Sequence, residues 1–342
     1  METGIWKPRL LPDKQQQNNI TMKSKAAFAF FRLIRWPNLL FIALTQWLFY
    51  YCILLPSFYN ANPPRENILK PTDFLLLCFS SILIAAAGYI INDYFDLHID
   101  RVNKPEKIVV EKIIKRRWAI IWHWILSVLG VVIGFYLSLK LRNIFIGPSN
   151  LACVLLLWFY STTFKKKLLL GNILISFLTS WVILVLYLCE FRLHRFVNPE
   201  FHAALSRVYK FAILYASFAF IISLVREVVK DMEDLEGDAR YGRRTMPVVW
   251  GINASRLFAA TWLMMLVAAL IGIQFYILQY GWWLIVGFST FFVILPIGWV
   301  LKKLYQANKP ADFHQLSSMI KNIMMMGILS MIFLKIYTSW IG

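Results

Sequence analysis

The sequence predicts an all-α polytopic membrane protein, and three observations carry that reading. Hydrophobic residues make up 59% of the 342 and charged residues only 16%, where a soluble chain carries about 25% charged. The excess is gathered into runs of about 20 residues, each long enough to cross a hydrocarbon core of about 30 Å. Nine such runs are read, over 26–55, 73–92, 118–139, 144–164, 168–189, 209–226, 256–279, 281–301 and 317–340. The net charge of +18 is also lopsided: 25 of the 36 Lys and Arg fall on the side of the N-terminus, 8 on the other and 3 inside spans. By the positive-inside rule the N-terminus is cytoplasmic, and the charge serves topology and anionic lipid heads rather than nucleic acid.

Taken in order, residues 1–25 read as a mobile polar tail without an apolar signal core, and 26–342 as a single transmembrane domain. The first span opens with Arg32, Arg35 and Asn38 at i, i+3 and i+6. Arg32 suits a snorkelling interfacial cation, whereas the amide of Asn38, deeper in the span, is expected to face the bundle. Residues 56–70 form a short outer connection. Span 2 runs into Asn92-Asp93-Tyr94-Phe95-Asp96-Leu97-His98-Ile99-Asp100, and Pro105 stops that helix. Span 4 ends in Tyr160-Ser161 followed by Lys165, Lys166 and Lys167, residues able to meet a polar head group or to serve as interfacial anchors. Glu190 to Lys210 reads as an outer loop without recognisable chemistry. Span 6 leads through Arg226-Glu227 into Asp231-Met232-Glu233-Asp234-Leu235-Glu236-Gly237-Asp238. Gly237 and Gly242 permit unusual backbone geometry, so that helix is expected to break just after Asp238. The last three spans carry few polar residues. Cys52, Cys78, Cys153 and Cys189 are far apart in apolar runs and read as packing residues.

The two acidic stretches are copies of one pattern, Asp-x-x-Asp-x-x-x-Asp, at 93/96/100 and 231/234/238. At about 100° per residue the three Asp fall within roughly 60° of one helix face, and Glu227 extends the second stripe. Nine of the 18 acidic residues lie here, where neighbours one turn apart repel. A solvated helix end is the plain alternative for one copy. Two copies of equal spacing at the ends of apolar spans favour a bound cation, and Mg²⁺ suits them because it takes one or two carboxylates and fills its shell with phosphate oxygens and water. Arg243 and Arg244 nearby suit phosphate, which Arg binds bidentately. A diphosphate bridged by metal, with an allylic cation facing aromatic rings, is the chemistry these residues point to.

Asn92-Asp-x-x-Asp-x-x-x-Asp100 and Asp234-x-x-x-Asp238-x-x-x-Gly242-x-x-Thr245, with Tyr160-Ser161 and a following Lys, resemble the two signatures of the UbiA-type intramembrane prenyltransferases, over about 28–340. The resemblance implies nine transmembrane helices around a central cavity, with two motif-bearing cytoplasmic cap regions for Mg²⁺ and a prenyl diphosphate. Carried over by position, Asn92, Asp96, Asp234 and Asp238 would be metal ligands with Asp100 close by, and Lys165 and Arg35 would hold the diphosphate. Asp93 and Asp231 join the metal set through the repeat. Asp96, Asp100, Asp234 and Lys165 are the expected catalytic group; Arg35, Asn38, Tyr160, Lys165, Arg243 and Arg244 are the expected substrate-binding group. Arg226 to Asp238 looks most like the geranylgeranylglycerol-phosphate geranylgeranyltransferase branch, which implies a prenylglycerol phosphate hydroxyl as the acceptor. Here Lys107-Ile108 stands where the family has Arg-Pro. Aromatic acceptors such as 4-hydroxybenzoate or dihydroxynaphthoate stay open, and a cation transporter is the alternative from another class. The expected setting is a bacterial or archaeal inner membrane with the active-site mouth in the cytoplasm; oligomeric state is left open.

Overall fold

The computed structural model describes residues 28–61, 64, 66–103, 108–192 and 199–338. The expected tail over 1–25, and Lys104, Pro105 and Lys107, lie outside them. Among the described residues, eight helices of 21 to 33 residues are long and apolar enough to cross a membrane. They are α1 (Trp36–Tyr59), α2 (Pro71–Asn103), α3 (Arg116–Lys140), α5 (Leu170–Glu190), α6 (Pro199–Glu233, apolar from Phe201), α9 (Gly251–Leu278), α10 (Trp283–Gln306) and α11 (Pro310–Tyr337). The expected nine include α4 (Ile146–Thr162), which at 17 residues is shorter than the rest. Between α6 and α9 lie two short helices, α7 (Leu235–Arg240) and α8 (Met246–Val249).

The helices pack in neighbouring pairs, α2 with α3 and α3 with α4, α5 with α6, and α6 in turn with α9 and α11. The faces left over are apolar and exposed, as at Trp124, Phe275 and Trp299, which suits hydrocarbon as solvent. Helices α1 and α10 each widen into one π-turn, Tyr50–Leu54 and Thr290–Ile294. In both, a proline follows two residues later, at Pro56 and Pro296. Proline offers no N–H to the carbonyl four residues back, and the ladder is bridged instead by Leu55 N–H to Tyr50 O and Leu295 N–H to Thr290 O.

Three expectations are corrected. The first span is not continuous from 26: a helical segment over 28–33 is followed by a turn, and Arg35 adopts φ 51° before α1 begins. Pro37 has no N–H to donate to the Leu33 carbonyl four residues back, so the first segment cannot run on as one unbroken helix, and the turn removes Arg32 and Arg35 from a shared helix face. Next, the stretch read as an outer loop up to Lys210 is helical from Pro199, while Glu190 is fully buried and accepts the amides of Ile68 (2.9 Å) and Leu69 (2.8 Å). Finally, the second motif's helix breaks before Asp238, at Asp234, and resumes as α7.

Candidate active site

Helix α2 carries the first motif without interruption to Asn103, so Asp93, Asp96 and Asp100 stay on one face. Each meets a different environment. Arg35, held in left-handed geometry that costs a non-glycine residue about 1–2 kcal/mol, turns its Nη2 to Asp93 Oδ1 at 2.6 Å and lays its guanidinium over Tyr89. Asp96 is buried and accepts from Lys165 Nζ at 2.7 Å and from Arg243 Nη2. Lys165 also reaches Asn92 Oδ1 at 3.3 Å. It sits in the 3₁₀ turn Phe164–Lys166, against Gly171 at the start of α5. A Cβ on Gly171 would fall 2.9 Å from Lys165 Cα, so glycine is what lets this backbone approach.

The second motif is clasped from the first motif's helix. Asn103, the last residue of α2, donates from Nδ2 to Asp234 O (3.3 Å) and accepts from Gly237 N–H at Oδ1 (3.0 Å). A Cβ at Gly237 would collide with that amide. This clasp is the physical reason the helix bends at Asp234. Arg243 then bridges the two motifs: beside Asp96, its Nη1 reaches Asp238 Oδ1 at 3.3 Å. Asp231 accepts from a neutral partner, Asn172 Nδ2, at 2.7 Å. Glu227 accepts from Lys230 Nζ at 2.6 Å and Arg226 Nη1 at 3.3 Å.

The charges act on one another. The Asp93 carboxylate holds the Arg35 guanidinium above its ordinary range. Burial lowers Lys165, against the pull of Asp96. Burial is also the largest influence on Arg243, but Asp96 and Asp238 outweigh it and keep that guanidinium high. Asp238 is pushed up to about 6, first by burial and then by Asp234, with Arg243 opposing.

Below this network lies a cavity of about 260 Å³. It is lined by the polar Asn92, Tyr160, Arg35 and Asn38 and by the apolar Ile84, Leu157 and Val182, among others. A second, smaller apolar compartment adjoins it across Phe41, Ile42 and Met324, leading to Tyr215 and Met331. The structure therefore brings together Asn92, Asp93, Asp96, Asp238, Lys165, Arg243 and Arg35, with Asp100 among the carboxylates of Asp96, Asp93 and Asp234. Arg244 stands apart: it is exposed and joins through its backbone amide, which donates to Lys166 O at 3.0 Å. Sequence reasoning missed Tyr89, Asn103, Asn172 and Lys321. Asn172 and Lys321 carried a legible signal, a polar group inside an apolar run.

The donor set fits Mg²⁺ in one particular way. Among the described residues no three His, Cys, Asp or Glu side chains are grouped to hold an ion by themselves; the cations Lys165 and Arg243 stand between the carboxylates of Asp96 and Asp238. Hard oxygen donors from both motifs nevertheless converge within the reach of one guanidinium. Mg²⁺ asks for only one or two protein carboxylates when substrate phosphate completes its shell.

Residues 49–324 match the UbiA prenyltransferase family. A digeranylgeranylglyceryl phosphate synthase of Methanothermobacter thermautotrophicus is 37% identical over 208 residues, 60% of this chain and 66%, just under two thirds, of that protein. A solved structure described as giving insight into digeranylgeranylglyceryl phosphate synthase in membranes superposes with a TM-score of 0.57 at 25% identity, covering 92% of this chain and 99% of its own. A UbiA homologue from Archaeoglobus fulgidus bound to GPP and Mg²⁺ shares the fold, with a TM-score of 0.51 at 15% identity over 89% of this chain and 99% of its own.

Proposed function

This chain belongs to the UbiA prenyltransferase family, and on that premise we propose that it moves a prenyl group, with Mg²⁺, from a prenyl diphosphate to the hydroxyl of a prenylated glycerol phosphate. One observation carries the reading: Arg243 contacts a carboxylate of each motif at the head of an apolar cavity. The relatives named as digeranylgeranylglyceryl phosphate synthases support the acceptor class.

Asn92, Asp93, Asp96 and Asp100 from the first motif, and Asp231, Asp234 and Asp238 from the second, are the oxygen donors from which one or two carboxylates would hold the cation. When bound, Mg²⁺ supplies positive charge to the departing diphosphate. Lys165, Arg243 and Arg35 hold the diphosphate by exchanging carboxylate for phosphate oxygens, a swap between two charge-assisted bonds of similar strength. The C–O bond of the donor breaks with its electron pair leaving on the diphosphate. Tyr160 lines the cavity where the allylic cation forms, and a ring face steadies such a cation without capturing it. The acceptor oxygen closes the ether bond and its proton passes to the released diphosphate. Asn38, also in the wall, orients bound substrate. The asymmetry of Lys and Arg puts this mouth on the cytoplasmic side, in a single domain over 26–342.

The test uses the purified chain in detergent with radiolabelled geranylgeranyl diphosphate and Mg²⁺. Geranylgeranylglyceryl phosphate, 1,4-dihydroxy-2-naphthoate and 4-hydroxybenzoate are offered in parallel, with and without chelator. Chelator-sensitive product from the first alone is expected; product from an aromatic acceptor alone overturns the acceptor class.

A further inference from the structure

The cavity wall carries more positive charge than the donor site explains. Four cations line it, Arg35, Arg226, Lys230 and Lys321, against one carboxylate, Glu227. Arg35 is taken by Asp93, and Glu227 is shared between Arg226 and Lys230. Lys321 Nζ donates only to a neutral group that is identified, Asn38 Oδ1 at 2.7 Å. The four cations, less Glu227 and Asp93, leave two positive charges in a space bounded by membrane-spanning helices. Arg226 Nε is in addition buried without a hydrogen-bond partner among the described residues. Like charges held together in a low-dielectric interior are costly, and Arg226, Lys230 and Lys321 line one cavity, near enough for the charge of Arg226 to oppose those of both lysines. An arrangement of this kind persists where an anion sits on it.

We propose that Arg226, Lys230 and Lys321 form the binding site for a phosphate monoester on the acceptor lipid, separate from the diphosphate site at Asp96, Lys165 and Arg243. This deepens the proposed function and rests on it. A phosphate monoester carries close to the two negative charges that the wall leaves uncompensated. Two helices supply the cations, α6 and α11, and they line the cavity together with Phe41, Ile42 and Met324. Those side chains also border the second apolar compartment. The acceptor's chain runs into that compartment, while the donor's chain runs between α2 and α4 past Ile84 and Leu157. The acceptor hydroxyl is thereby presented to the donor carbon between two separately held anions.

The experiment compares the wild type with Lys321→Gln, Arg226→Gln and the charge-preserving Lys321→Arg, as full chains in detergent. A charged hydrogen bond lost to phosphate corresponds to roughly a tenfold to hundredfold change. Both Gln variants are expected to raise the KM for geranylgeranylglyceryl phosphate at least tenfold. Equilibrium binding of the labelled acceptor, without donor or Mg²⁺, should weaken in step, while binding of labelled donor with Mg²⁺ changes by less than about threefold. The wild-type preference for this acceptor over its phosphate-free alcohol should collapse in the Gln variants and survive in Lys321→Arg. Donor binding that weakens in parallel assigns the cluster to the diphosphate and overturns the inference, as does an unchanged acceptor KM. A wild type that makes product only from an aromatic acceptor fails the proposed function itself, and is recognised before any variant is made.

Discussion

Asp96 in the first motif is gripped by two cations, Lys165 and Arg243, whereas its counterpart by spacing in the second, Asp234, is clasped through its backbone by the neutral Asn103. The contrast repeats one turn earlier, where Asp93 meets Arg35 and Asp231 meets Asn172. Asp238 of the second motif accepts from Arg243 Nη1 at 3.3 Å, and that arginine is shared with Asp96. Equal spacing has therefore produced unequal electrostatics. The first motif is largely neutralised by cations that must let go when phosphate arrives. Around the second, the described partners bring less positive charge, Arg243 at Asp238 and the neutral Asn172 at Asp231, which suits it to take up a cation. A reaction that needs both a metal and a set of phosphate ligands gains from this division, since a site of carboxylates alone would repel the diphosphate.

The strongest break of this comparison is to neutralise one carboxylate in each motif. Asp96→Asn and Asp234→Asn are each expected to lower turnover by roughly 10²–10³, the scale for losing one preorganised charge-stabilising group, measured as initial rate with saturating donor. Retained turnover in either would remove that motif from the chemistry. The next test sharpens it. Arg243→Gln should weaken donor binding by about tenfold to hundredfold, while Arg244→Gln, exposed one residue later, should change it by less than about threefold. Equal effects would mean that charge near the mouth, rather than the bridge, is what matters.

Much of this was legible in the chain. Apolar runs located the helices, because a bilayer imposes a length that composition records directly. The two Asp patterns located the site, because like charges on one helix face are otherwise costly. Bends and partners were harder to read. Nothing local at Asp234 announces a helix break; its cause is Asn103, distant in sequence, reaching across to Gly237. Arg35 looked like a partner of Arg32 on a helix face until the left-handed turn before Pro37 sent it to Asp93. Arg243 and Arg244 were indistinguishable as sequence, and only the fold separates the buried bridge from the exposed neighbour. Such differences arise from tertiary contacts, which a period or a spacing does not encode.

A third test targets the neutral side of the comparison. Asn172→Leu leaves Asp231 without its amide donor in a half-buried setting, and losing the partner of a buried polar group costs about 1–3 kcal/mol. Thermal unfolding in detergent should show the loss in the absence of Mg²⁺, with part of it recovered as Mg²⁺ is added, because a ligand of the folded state stabilises it. An unchanged melting temperature would show that Asp231 finds another partner readily, and that the second motif is not strained by its own charge.

The smallest expected effect is one of pH, and it follows from Asp238. Its folded pKa of about 6 lies above the ordinary value of 3.8. A carboxyl raised in this direction binds its proton more tightly in the folded state, so its contribution to stability falls as pH climbs from about 4 to about 6 and stays low above that. The same proton competes with a divalent cation, since a ligating carboxyl must be deprotonated. The part of the Mg²⁺ affinity that depends on Asp238, read as the ratio of wild type to Asp238→Asn and measured without donor because diphosphate titrates in the same range, should therefore be nearly level above pH 7 and weaker by roughly tenfold at pH 5. In the first motif the cations beside Asp96 are fixed, so Asp96→Asn should lower the whole curve and leave its midpoint near 6, whereas Asp238→Asn should flatten it. A midpoint that stays near 6 in Asp238→Asn would assign the titration to another carboxylate and undo the claim that the second motif is the one waiting for a cation.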